Sequence, residues 1–381
     1  MAYFDNAATT YPKPACMYEF MDRFYRESAG NAGRGDYEQA ENSGKLIEDT
    51  RKRIKTLLHC PSKATIFQPS ATISLNVILQ GLIRTGIKNI YVSPFEHNAV
   101  TRVLYHYEQC CNITVEQLKV TKDLKYDLEA IRYQFDAAAP DLVIISHASN
   151  VIGLIAPVEE IFLLAKRYDA LTLVDMSQTA GLVDINVGLE TFDFAVFAGH
   201  KTLYGPTGLS GFVMKPSVKL PTVLFGGTGF DSANQDMPDS IPQKYECGTM
   251  NISGVAGLNA ALRWIDETKI EHIHSVEQNN RDRLIEVLSD YPFLKIVGNQ
   301  KGNEYVSIVS CVIDGISSDS IGPVFAKNNI AVRTGLQCAP YAHKFLGTYP
   351  AGTIRFSASY FTNEKDFDEL KNTLSYIADV F

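Results

Sequence analysis

Lys201 is the residue from which this chain can be read. It follows His200 in FAGHKTLYGPTG, between an apolar run at 192–198 and a second at 211–214. A strand that feeds a tight turn and leaves as another strand reads this way. A lysine in a solvated loop usually serves solubility. At the mouth of a buried sheet, desolvation and nearby positive charge lower its pKa, and the neutral amine can form a Schiff base. Two other apolar runs also end in polar residues. LVIIS leads to His147, Ser149 and Asn150, and LTLV leads to Asp175 with Gln178 three residues on. An aspartate after a strand is more often a cap or turn residue, but a lysine and an aspartate on neighbouring strand ends match the needs of pyridoxal phosphate (PLP). That cofactor takes a Schiff-base lysine and a carboxylate beside its pyridine nitrogen.

PLP also needs a phosphate cup. TIFQ is followed by Pro69-Ser70-Ala71-Thr72 and then a helical run with Leu75, Ile78, Leu79 and Leu82. Hydroxyls at a helix start usually cap it, and the same N–H groups bind phosphate when they face a ligand. His97, after NIYVS, lies at a further strand end, where an imidazole can stack on a ring and shuttle protons.

The elements that must position these residues follow from periodicity. From 64 to 215, β-rich runs at 65–68, 90–93, 113–118, 142–146, 171–175, 194–198 and 211–214 alternate with helical patterns such as 158–168. That order predicts a mostly parallel sheet covered on both faces, with ligands outside the carboxyl ends of its strands. Residues 1–14 read as an irregular arm, and 15–27 and 37–58 as helices. The glycine-rich loop between those helices, SAGNAGRGD, carries Arg34. Residues 222–250 lack periodicity and read as a long functional loop. Helices at 253–268, 271–290 and 364–379, with strands at 306–312, 330–333 and 354–357, suggest a smaller α+β unit. The expected division is a large domain at 15–252 and a small one made of 1–14 and 253–381.

Composition sets bounds. The chain has 381 residues, 45% hydrophobic and 20% charged, ordinary values for a globular protein. With 35 basic and 43 acidic residues, its net charge of −8 does not suggest nucleic-acid binding. No apolar run approaches a membrane span, and MAYFDNAATT does not read as a signal peptide. The seven cysteines contain no Cys-x-x-Cys, which fits reduced thiols and a cytoplasmic location. No metal is expected.

Taken together, YFDNAATT (3–10), NAGRG (31–35), ATISLN (71–76), EHNAV (96–100), SNVIG (149–153), VDMSQTAG (174–181), GHKTLYGPTG (199–208), ECGTMN (246–251) and RTGLQCAP (333–340) resemble the class V aminotransferase family of PLP enzymes. Within it they are similar to the cysteine desulfurase and selenocysteine lyase group. The resemblance implies the PLP-dependent transferase fold (fold type I), with a mostly parallel seven-stranded sheet and a smaller α+β domain. It implies Lys201 as the PLP lysine and Asp175 beside the pyridine nitrogen. Asn150 and Gln178 would contact the ring oxygen, and His97 would stack and act as acid/base. Ala71, Thr72 and His200 would bind phosphate, joined by Thr249 from the partner subunit of a homodimer. Arg333 and Arg355 would hold the substrate carboxylate as guanidinium forks do, with Arg34 and Asn150 also on the substrate. Cys338 would receive sulfur from L-cysteine as a persulfide and pass it to an acceptor protein. The alternatives are a selenocysteine lyase or another class V aminotransferase or β-lyase. Two departures stand out. Ala198 occupies the position where relatives commonly carry a phosphate-binding serine or threonine, and the LQCAPYAHKF loop differs from better-known branches.

Overall fold

The computed structural model describes residues 1–32, 35–229 and 233–380. Its main element is a seven-stranded sheet. In chain order the strands are β2 (Ala64–Gln68), β3 (Asn89–Val92), β4 (Thr114–Gln117), β5 (Leu142–Ser146), β6 (Leu171–Asp175), β7 (Phe194–Ala198) and β8 (Ser210–Met214). In space the order is β2-β8-β7-β6-β5-β3-β4. Only β8 runs against the rest: it is antiparallel to both β2 and β7, while β7, β6, β5, β3 and β4 pair in parallel. The carboxyl ends of β2, β3, β5, β6 and β7 therefore share one edge.

The strands are apolar on both faces, as a doubly covered parallel sheet requires. Tyr91, Val143, Ile145, Val174 and Phe197 pack into one core with helices α1 (Ala15–Glu27), α2 (Glu38–Leu57), α5 (Leu128–Ala137), α6 (Val158–Ala165) and α7 (Ile252–Thr268). Their alternating neighbours Ile90, Val92, Ile144, Leu173 and Val196 pack into a second core with α3 (Ala71–Arg84) and α4 (Asn98–Cys110). Successive strand side chains face opposite sides, so one strand feeds both cores.

The C-terminal part builds a four-stranded antiparallel sheet in the order β12-β13-β10-β9. Its strands are β9 (Leu294–Val297), β10 (Ile308–Ile313), β12 (Arg333–Gly335) and β13 (Thr353–Ser357). The helices α8 (Ile270–Ser289), α9 (Ser318–Lys327) and α11 (Glu364–Val380) close a third core with Phe325, Phe356 and Leu370. α10 (Pro340–Phe345) follows the Cys338 loop. The first residues are more ordered than an irregular arm: β1 (Ala2–Tyr3) pairs in parallel with β11 (Ile330–Ala331). A two-residue strand is too short to show a period.

Candidate active site

The shared carboxyl edge of the seven-stranded sheet forms a cavity of about 200 Å³. Asp175 ends β6, and the backbone N–H and hydroxyl of Ser177 both donate to its Oδ1, at 2.9 and 2.5 Å. Asn150 and Gln178 line the same cavity, the first after β5 and the second after β6. Gln178 Nε2 donates to the Ala7 carbonyl at 2.9 Å, tying the N-terminal arm to the cavity wall. Lys201 and His200 enter from the turn after β7. The His200 carbonyl collects the Thr9 and Thr10 hydroxyls and Lys13 Nζ, at 3.1, 3.3 and 3.0 Å. This fixes the turn against the arm.

Ala71 and Thr72 begin α3 and border the cavity. Ser70 is the N-cap, its side chain accepting from the Ile73 N–H at 3.2 Å. The start of a 14-residue helix thus borders the pocket, where the partial positive charge of its N-terminus suits a phosphate. Ala198 also lines the cavity, so β7 contributes no hydroxyl there.

His97 caps α4, and its Nδ1 accepts the Ala99 N–H at 3.0 Å. That contact places the proton of the neutral ring on Nε2. Burial, reinforced by the charge of Lys201, lowers the His97 pKa to about 4, so the ring is neutral at pH 7. Burial likewise pulls His200 to about 4. Lys201 is lowered to about 8, chiefly by burial and further by Arg355, while Asp175, Cys338 and Asp5 hold it up. Those four groups all act on the same amine, so the site draws on both sheets.

The smaller sheet supplies the other wall. Arg355 on β13 is 3% exposed. Its Nη1 donates to the Asn150 carbonyl at 2.8 Å and its Nη2 to Asp5 Oδ1 at 2.9 Å. Arg333 on β12 is half exposed and donates from Nη2 to Asp5 Oδ2 at 2.7 Å. Cys338 is exposed, on the loop between β12 and α10. The Asn98 N–H donates to its carbonyl at 2.7 Å, which brings the loop to the start of α4 beside His97. Gln337 anchors that loop. Its carbonyl accepts from Asn150 Nδ2 at 2.7 Å, its Nε2 donates to the Thr353 carbonyl at 2.9 Å, and its Oε1 meets His343 Nε2 at 2.8 Å. Gln337 and Cys338 both have left-handed backbones, with φ of 39° and 57°. Such conformations are costly for residues with a Cβ and persist where surrounding contacts fix them.

The cavity brings together Lys201, Asp175, His97, Asn150, Gln178, His200, Ala71 and Thr72. Thr249 is exposed and does not border it. Arg34 lies outside the described residues. Sequence reasoning missed Asp5, Ser177, Gln337 and Glu96. Glu96 is fully buried and accepts from the Ser146 N–H and hydroxyl at 2.6 and 2.8 Å. Burial pushes its pKa up to about 8. Asp5 has no local signal, since its arginine partners lie at the other end of the chain; the signal for Glu96 was its place beside His97.

Among the described residues, three buried polar atoms around this site have no protein partner: His200 Nδ1, Asn150 Oδ1 and Arg355 Nε. Buried polar groups are nearly always satisfied. PLP and an amino-acid substrate bring a phosphate and a carboxylate, which His200 Nδ1–H and Arg355 Nε–H can serve, and a ring hydroxyl that can donate to Asn150 Oδ1. An α/β sheet with a desolvated lysine and an aspartate at neighbouring strand ends defines a PLP-type enzyme. The chain belongs to the aminotransferase class-V family, whose model matches residues 2–370; its members are PLP-dependent. A probable cysteine desulfurase of Halalkalibacterium halodurans is 29% identical over 395 residues, spanning 100% of this chain and 95% of that protein. One from Methanothermobacter thermautotrophicus is 27% identical over 382 residues, spanning 99% and 94%. The apo structure of the cysteine desulfurase from Thermococcus onnurineus superposes with a TM-score of 0.88 at 25% identity, covering 100% of this chain and 95% of that one.

Proposed function

We propose that the chain is a PLP-dependent cysteine desulfurase that converts L-cysteine to L-alanine and takes the sulfur onto Cys338. The observation that carries this reading is the Cys338 loop: Asn98 and Asn150 hold its backbone against the cavity that contains Lys201 and Asp175. Relatives named as cysteine desulfurases over the full length of the chain support it.

When bound, PLP supplies an electron sink for charge left on the substrate α-carbon. Lys201 would hold the cofactor through Nζ; burial lowers the pKa of the free amine to about 8, so once the substrate amine has displaced it, Nζ could take the α-proton at mildly alkaline pH. Asp175, oriented by Ser177, would pair with the pyridine nitrogen of the bound cofactor. Asn150 and Gln178 would serve its ring oxygen. His97 would lie against its ring and offer Nε2–H. The start of α3, with Ala71, Thr72 and His200, would hold its phosphate. Arg355, with Arg333, takes the substrate carboxylate. The Cys338 thiolate takes the substrate sulfur: an S–S bond forms, the Cβ–S bond breaks, and the electron pair left on Cβ picks up a proton to complete alanine. The exposed loop then presents the persulfide to an acceptor. The protein acts in the cytoplasm as a homodimer, with Thr249 completing the phosphate cup of the partner subunit. No helix among the described residues is long and apolar enough to cross a membrane.

The test is product analysis with the PLP-loaded protein. Cysteine should yield alanine and sulfide in equal amounts under reducing conditions. Borohydride should fix the cofactor on the Lys201 peptide. Cys338→Ala should stay yellow and lose at least about a hundredfold in sulfide production, since cleavage needs a thiolate to receive sulfur. Turnover of cysteine by Cys338→Ala at the parent rate would overturn the persulfide reading in favour of simple β-elimination.

A further inference from the structure

Among the described residues, Asp5 is the one acidic side chain on the arginine pair. It is 8% exposed, and its residue is fixed from both sides: it bridges Ser357, and its carbonyl accepts the Ala8 N–H at 3.0 Å. Its Oδ1 accepts from Arg355 Nη2 at 2.9 Å and its Oδ2 from Arg333 Nη2 at 2.7 Å. The carboxylate therefore lies between two guanidiniums and orients both. Each guanidinium has five N–H donors. Arg355 uses Nη2 on Asp5 and Nη1 on Asn150, and its buried Nε has no partner. Donors remain for one more carboxylate. Burial works against the charge on Arg355, and Asp5 is the main group supporting it.

We propose that Asp5 is a specificity-determining residue: by holding the Arg333–Arg355 pair at a net charge of +1, it matches the site to amino acids with one carboxylate and disfavours those with a second anionic group. This rests on the desulfurase reading for the identity of the substrate. With one carboxylate bound, the two cations and two anions balance. A second carboxylate or a sulfinate on the side chain would leave an anion uncompensated in a partly desolvated site, where charge imbalance is felt more strongly than in water.

The test is binding of two unreactive acids, propionate and succinate, to the PLP-loaded protein by titration calorimetry. In Asp5→Asn the pair carries +2, and the preference for succinate over propionate should rise about tenfold. A larger change is not expected because half-exposed Arg333 is screened by solvent. In Arg333→Gln the pair carries zero, and the preference should fall. The double variant Asp5→Asn/Arg333→Gln restores +1 and should return close to the parent ratio. A purely structural role for Asp5 would weaken both acids alike and would not be rescued. An unchanged ratio in folded Asp5→Asn overturns the proposal. Should Asp5→Asn not fold, Arg333→Gln decides, and a ratio equal to the parent's overturns it. Failure of the parent to make sulfide from cysteine strikes the desulfurase reading instead, because the binding ratio does not depend on turnover.

Discussion

Lys201 sits among charges of both signs, and their balance sets its reactivity. Burial disfavours the ammonium, Arg355 adds to that, and Asp175 opposes it. Removing the carboxylate should therefore lower the lysine pKa below about 8. We expect Asp175→Asn in the cofactor-free protein to shift the amine's titration down by about one pH unit, the lower end for loss of an opposite charge nearby. Competitive acetylation of the Lys201 peptide across pH reads this directly. A midpoint that stays or rises would mean that Asp175 does not act on this amine. At this scale the sequence was readable where a residue's role follows from its own strand. Asp175, Lys201, His97 and Asn150 all follow apolar runs, and the parallel-sheet rule gathers them. Asp5 was not readable that way. Its two guanidinium partners stand 328 and 350 positions away, and no local pattern encodes such a contact.

Elements with a strong period were legible. Strands β5, β6 and β7 and helix α1 match the sequence reading to the residue, because a doubly buried strand is a continuous apolar run and an amphipathic helix repeats every three or four positions. Elements without a period were not. β9 is short and only partly buried, and α9 carries Pro323 inside it, so their patterns are weak or read as turns. The Cys338 loop shows how much tertiary contact decides. Nothing in LQCAPYAH predicts two consecutive left-handed residues, and Gln337 holds them through the β13 backbone and His343. Gln337→Ala should remove those side-chain bonds and leave a buried carbonyl and imidazole short of partners. The stability cost should be about 1–3 kcal/mol, read from denaturant unfolding. Sulfide production should fall more than cofactor affinity does, since Gln337 holds the loop and does not border the PLP cavity. Equal losses in both would show that the loop and the cofactor site are not separable.

At the scale of the whole molecule, the chain ties its distant parts to one cavity. The N-terminal arm reaches it through Asp5, Ala7 and the His200 carbonyl. Near its end, the long segment before α7 is anchored by the Tyr245 carbonyl, which accepts from Gln68 Nε2 at 2.6 Å, and by an ion pair. Arg51 on α2 makes two parallel bonds to Glu246, at 2.7 and 2.6 Å, and Glu246 also accepts the Phe67 N–H. Arginine and carboxylate in that geometry fix orientation as well as position. The Glu246 anchor lies three residues before Thr249, which is exposed and does not border the cavity. A segment fastened firmly at Glu246, ending in an exposed hydroxyl, suits a site completed by a second subunit. If Thr249 serves the partner subunit, Lys201→Ala and Thr249→Ala fail in different chains. In a mixed dimer one cavity then takes both defects, and the other has an intact Lys201 from its own chain and an intact Thr249 from its neighbour. Random reassortment makes half of the dimers mixed, so about a quarter of all cavities should recover. The measurement is sulfide production at limiting PLP after the two variants are unfolded and refolded together. Activity no greater than the sum of the separate variants, or a fully active monomer in sedimentation, would place Thr249 outside any shared site.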